Sequence, residues 1–191
     1  MRTHSLLSRL TFDARGTAIT EFAIVAPLFL ALFIGILEIT LQFYFAEAAE
    51  KAAQAGVRTA VVVTPAVALP SINDSSTEDW GATCTKAGAP CTDFGTLTCA
   101  GAACGGGFDT ILTRMQAVFP VVAAENVTLR YQYVGLGFAG GPPVPAVTVT
   151  LSGLKWPAGP FATAMVLLGG SGFVATLPDI RATLTGEDLA S

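Results

Sequence analysis

Histidine is almost missing from this chain. Its one copy, His4, stands near the N-terminus. The body of the protein therefore has no imidazole base or imidazole metal ligand, which excludes Ser-His and Cys-His catalysis there. Charge is scarce too: 13% of residues are charged and 52% are hydrophobic, where soluble domains carry about 25% charged residues. The charge that exists leans acidic. The net is −4; residues 1–16 hold Arg2, Arg9 and Arg15 against Asp13, a balance of +2, which leaves −6 for the rest. An acidic body lacks the basic face that nucleic acid requires. No Asp-x-Asp-x-Asp-Gly loop is present to hold calcium, so Asp74, Glu78 and Asp79 read as a solvated loop. Gly105-Gly106-Gly107 has no Lys-Ser/Thr after it, and Asp109 reads as a helix N-cap or first-turn residue rather than the edge of an anion site. No long internal repeat and no recognisable catalytic set occur. Neither an enzyme nor a bound cofactor or metal is expected.

What the chain has is an apolar run. Residues 22–45 are nearly all Leu, Ile, Val, Phe and Ala. A bilayer core of about 30 Å needs roughly 20 apolar helical residues, and this run supplies them. It is too long for the roughly 7–15-residue apolar core of a secretory signal; a cut after Ala46-Glu47-Ala48 is the competing reading. Three Arg precede the run, while Glu47 and Glu50 follow it with only Lys51 and Arg58 for balance. Lys and Arg favour the cytoplasmic side, so the N-terminus is expected in the cytoplasm and the C-terminal part outside. Cys84, Cys91, Cys99 and Cys104 all lie in that outer part, where an oxidising compartment makes disulfides the expected state. Six, seven and four residues separate them, which is not a repeat of Cys-x2–4-Cys zinc knuckles. Spacing leaves the pairing open: a nested pattern, Cys84–Cys104 around Cys91–Cys99, and a sequential one are both sterically possible.

A carboxylate stands at the start of the run. Glu21 is the fifth residue after Gly16, and a charge inside a bilayer costs about 2.5–3.5 kcal/mol at the helix centre and less near an end. The wording Arg15-Gly16-Thr17-Ala18-Ile19-Thr20-Glu21-Phe22-Ala23, continuing to Pro27, resembles the N-terminus of the type IV pilin superfamily. It is more closely similar to the TadE-like minor pilins or pseudopilins of the tight-adherence (Flp) pilus system. A second echo is Ala52-Ala53-Gln54-Ala55-Gly56-Val57-Arg58, an Ala-rich run ending in Gly-x-Arg. The resemblance covers residues 15–60 and is looser beyond. It implies a cut by a prepilin peptidase between Gly16 and Thr17 and an assembly role for Glu21. It also implies other pilus subunits and the pilus assembly machinery as partners, with the body in the periplasm. Cutting there removes all three leader Arg and creates an amine at Thr17, which can pair with Glu21; a buried carboxylate is tolerable when paired and costly alone. The alternative is an unprocessed, signal-anchored periplasmic binding or scaffold domain.

The expected fold is α+β: a long N-terminal transmembrane helix, then a small head with one amphipathic helix and a short antiparallel sheet. Residues 1–16 read as a cytoplasmic leader, 17–63 as the transmembrane and extended helix, 64–107 as a Cys-containing loop region, and 108–191 as the extracytoplasmic head. The helix continues past the membrane because residues 46–60 are Ala-rich, and Pro65 and Pro70 stop it. Pro27 removes one backbone hydrogen bond from the span. Glu38 and Gln42 share one face near its outer end, placed to snorkel or to meet a partner helix. Ala48, Ala52, Gly56 and Ala60 recur every four residues, a small-residue face for a neighbouring pilin helix or the protein's own head. Ile111, Leu112, Met115, Val118 and Phe119 fall on one face of a helix from Asp109 to Phe119, ended by Pro120. Residues 127–134, 146–151 and 180–185 alternate as strands. Residues 161–177 are uncharged and apolar, but Gly169-Gly170-Ser171-Gly172 interrupts them; they are expected under the sheet or against the membrane surface.

Overall fold

The apolar run becomes one helix. In the computed structural model, which describes residues 14–73, 80–87, 91–156, 159–167, 169–170, 176–186 and 189, helix α1 spans Ala14–Ala60 and passes through Pro27 without a break. Val61 and Val63 donate back to the Val57 and Thr59 carbonyls, and Pro65 prevents further turns. Residues 1–13 of the expected leader, and Asp74, Glu78 and Asp79, lie outside the described residues. The chain divides into two compact units. One comprises Met1–Phe43 with Ala158–Phe173, the other Tyr44–Pro157 with Val174–Ser191.

The second unit holds the sheet. Strands β1 (Thr96–Ala100), β2 (Val127–Leu136), β3 (Val144–Leu151) and β4 (Ile180–Thr185) form one sheet in the order β1-β2-β3-β4. Every pair is antiparallel, with Leu129 opposite both Cys99 and Val149. Strand alternation then separates two faces. Val127, Leu129 and Tyr131 on β2 are buried with Val147, Val149 and Leu151 on β3. Thr128, Arg130, Thr148 and Thr150 stand on the other face, where the Thr148 and Thr183 hydroxyls meet at 2.8 Å. Helix α2 (Phe108–Val118) has Asp109 in its first turn, where a carboxylate faces unpaired N–H groups and the positive end of the helix dipole. Its Phe108, Ile111 and Met115 join Ala49, Ala52, Ala53, Val57 and Ala60 of α1 in one core with the inner face of the sheet.

Two parts differ from expectation. The region 64–107 is not all loop, because Thr96–Ala100 pairs along β2 from Gln132 to Thr128. Within the apolar stretch 161–177, a short helix α3 (Pro160–Leu167) forms in the first unit. Its described side chains are not buried: Val166 and Leu167 are exposed, Leu167 by 84%. Leu168 and residues 171–175 of that stretch lie outside the described residues.

Candidate functional site

Gly16, Thr17 and Glu21 all fall in the first turns of α1. Thr17 and Glu21 are four residues apart on a helical backbone, so they stand one turn apart on the same face. Glu21 is exposed, and so are the apolar side chains that follow it: Phe22, Ile24, Val25, Leu28, Phe29 and onward to Phe43. From Ala18 the helix is long and apolar enough to cross a membrane, and none of its most apolar window is buried in the protein. An exposed apolar surface of this extent in water would be an association or aggregation liability; in a bilayer it is the required surface. Thr40, in its C-terminal half, turns its hydroxyl back to the Ile36 carbonyl at 2.9 Å, which satisfies that donor without water, as a membrane interior requires. Gln42 is exposed, whereas Glu38 is half-buried beside Gly159.

From Ala48 the same helix reverses its surface. Ala52, Gly56 and Ala60 are buried and Ala48 half-buried. Of the two surfaces open to this small-residue face, the one it meets is the protein's own head. Gly56 shows why small residues are needed: a Cβ built there would stand 2.6 Å from Met115 Sδ and 2.8 Å from its Cγ. At Gly56 the missing side chain is what leaves room for the Met115 side chain of α2.

The cysteines form two bridges, Cys84–Cys91 and Cys99–Cys104, the sequential pattern rather than the nested one. Cys99 belongs to the main core, whereas Cys84 and Cys91 form a separate buried cluster with Ala139. Among the described residues no group of three or more His, Cys, Asp or Glu is placed to hold a metal ion.

Three features of the head had no clear sequence signal. Asn73, 2% exposed, ties down the loop after β2: its Nδ2 donates to the Phe138 and Pro142 carbonyls, its N–H to Gly141, and its carbonyl accepts from Gly140. The Gly105-Gly106-Gly107 run is a place of close backbone approach. Gly105 and Gly107 donate to the Ala66 and Thr64 carbonyls, and a Cβ on Gly106, whose φ is +52°, would strike the Pro65 carbonyl oxygen. Tyr131, wholly buried, accepts a hydrogen bond from the Ala66 N–H at 3.2 Å. Burial pushes its phenol pKa up, and the Ala66 bond pulls the other way. A signal for Asn73 existed only in its type, since Asn side chains often complete turns.

The head also carries two open grooves. One, of about 450 Å³, is lined by backbone and apolar groups such as Pro65, Val67, Leu69 and Pro143, with the Thr64 and Ser71 hydroxyls as the polar side chains. The other, about 610 Å³, runs between α1 and β4 and mixes Glu50 and Asp179 with Arg58 and Arg181. Arg181 pairs with Asp179 at 3.8 Å, and both are exposed, so solvent screens the pair and little stability follows from it.

No curated protein and no solved structure matches this chain. A family match exists and is confined to α1. Residues 16–58, from the glycine before the apolar run to the arginine near the helix end, match the family model described as TadE-like protein, and over that stretch the chain is similar to the pilin-related proteins of the tight-adherence system.

Proposed function

We propose that this protein is a minor pilin or pseudopilin that takes part in assembly of a tight-adherence (Flp-type) pilus. A prepilin peptidase cuts it between Gly16 and Thr17. The observation that carries the reading is a coincidence of bounds: the family match begins at Gly16, directly ahead of the exposed apolar helix surface that begins at Ala18. α1 anchors the chain in the inner membrane with its N-terminus in the cytoplasm. The head folds in the periplasm, and the two disulfides fit an oxidising compartment. Cutting removes the three leader Arg and leaves an amine one helical turn from Glu21. That amine, or one on an adjacent subunit, neutralises the carboxylate at the edge of the span, where an unpaired charge is costly. Other pilus subunits then pack on the apolar face of α1.

N-terminal sequencing of the membrane-extracted protein tests this. A mature chain starting at Thr17 is expected, with full-length precursor accumulating in Gly16→Arg. An assembled protein still starting at Met1, or one starting near Glu50, overturns the reading. Glu21→Ala leaves the Gly16–Thr17 bond in place, so this variant should be cut yet co-purify poorly with its pilus partners. Normal co-purification would remove Glu21 from assembly.

A further inference from the structure

We propose that α3 is a second membrane-contacting element, an interfacial helix that seats in the outer leaflet of the bilayer that α1 crosses. This rests on the anchoring role given to α1. The stretch is built for such a place. No charged residue occurs between Lys155 and Asp179, and the charges at its two ends flank the returning chain. Lys155 forms an antiparallel bridge with Thr176, and the Leu177 N–H donates to the Leu154 carbonyl at 2.9 Å, so the base of the excursion is closed by backbone hydrogen bonds. Between those ends the chain belongs to the unit of the apolar helix and not to that of the sheet.

Depth follows from one contact. Gly159, buried at the start of α3, lies against Glu38 of α1, and a Cβ at Gly159 would collide with the Glu38 carboxylate. Beyond Glu38, α1 still exposes Ile39, Leu41 and Phe43, with Thr40 and Gln42 between them. At 1.5 Å per residue, Phe43 stands about 7 Å further along the helix. α3 therefore begins short of the end of the exposed apolar surface rather than past it. Val166 and Leu167 are exposed and have lipid as their natural neighbour at this level.

The polar groups agree. Thr163, the hydroxyl residue of α3, donates through Oγ1 to the Gly159 carbonyl at 3.0 Å, and its N–H goes to the same carbonyl. This is the habit of Thr40 in α1: a hydroxyl satisfied within its own turn can enter hydrocarbon without an orphaned donor. The Gly169 N–H closes the far end on the Val166 carbonyl at 3.0 Å. An apolar helix with self-satisfied polar groups and a polar base is what an interfacial anchor requires.

The native cysteines are all bridged, so a single introduced thiol can be labelled selectively. The full chain would be reconstituted into phosphatidylcholine–phosphatidylglycerol vesicles with a nitroxide at Leu167→Cys, Leu30→Cys or Thr113→Cys. Oxygen partitions into lipid and a nickel chelate stays in water, so their collision ratio reads depth. The label at 167 should show an oxygen-to-nickel ratio several-fold above that at 113 and below that at 30. A water-like label at 167 with a lipid-like label at 30 overturns the proposal and leaves the anchor intact. A label at 167 shielded from both reagents puts a protein neighbour over α3 and also overturns it. A water-like label at 30 sinks the anchoring role and this inference with it.

Discussion

Two stretches of one helix obey opposite rules. From Ala18 to Phe43, α1 carries large apolar side chains and leaves them exposed; from Ala48 to Ala60 it carries mainly small residues and buries one face of them. One glycine in each stretch measures the difference. A Cβ on Gly35 would meet nothing within 4 Å, whereas one on Gly56 would press on Met115. Both stretches belong to one continuous helix, so the backbone does not distinguish them. The surroundings do: lipid accepts any apolar shape, while a packed core accepts one volume at each position.

The largest effect should come from the core that the second stretch covers. Met115→Ala removes a fully buried side chain and should cost the head about 2–5 kcal/mol, as buried Met truncations do. Urea unfolding of the full chain in detergent, followed by tryptophan fluorescence, measures it. Leu30→Ala in the first stretch should leave that curve within about 0.5 kcal/mol of the parent. Equal losses would erase the distinction between the two stretches.

A smaller contrast concerns hydroxyls. Tyr131→Phe leaves the buried Ala66 N–H unpaired and should cost about 1–3 kcal/mol at neutral pH. Thr40→Val, which removes a hydroxyl bonded only within its own turn, should not move head stability. Tyr131 also gives a pH signature. Its folded-state pKa is raised by burial, so its contribution is complete below the unfolded value of about 10. It is lost as pH rises from there through the folded value, because the unfolded phenol ionises first. The parent should lose stability above that pH and Tyr131→Phe should lose less; equal alkaline slopes would show that other groups set the fall.

The smallest contrast uses the glycines. Gly56→Ala overpacks against Met115, typically about 1–3 kcal/mol, but regains about 1 kcal/mol of helix propensity. A net loss of about 1 kcal/mol is expected from the same unfolding curves. Gly35→Ala has only the propensity gain and should show no loss. A stabilised Gly56→Ala head would mean that Met115 yields without strain.

The sequence made some of this plain and hid the rest for physical reasons. The apolar run, the period of Ile111, Leu112 and Met115, and the alternation of Val127 to Val134 are local patterns that need no partner to be recognised. Strand β1 is different. Thr96-Leu-Thr-Cys-Ala100 is five residues in a stretch rich in Gly and Cys, and what makes it a strand is the β2 edge beside it. Asn73 and Gly106 were equally hidden, since each answers to a carbonyl far away in sequence. At the candidate site, Gly16 and Glu21 were legible as residues. The small-residue stripe was legible as a pattern, though its neighbour was not: spacing describes one surface and says nothing about the other.

The two bridges have a consequence for how the head is made. Each joins cysteines only seven or five positions apart, and the last of them, Cys104, precedes β2, β3 and β4 in the chain. Each thiol therefore has its partner within a few residues, and both pairs are complete in the chain before most of the sheet has been made. In the orientation proposed above, oxidation could keep pace with export. A nested pattern would hold Cys84 as a free thiol until Cys104 arrived, whereas here Cys84 can close on Cys91 before Cys99 emerges to compete for it. Local pairing thus makes the order of emergence the order of bonding.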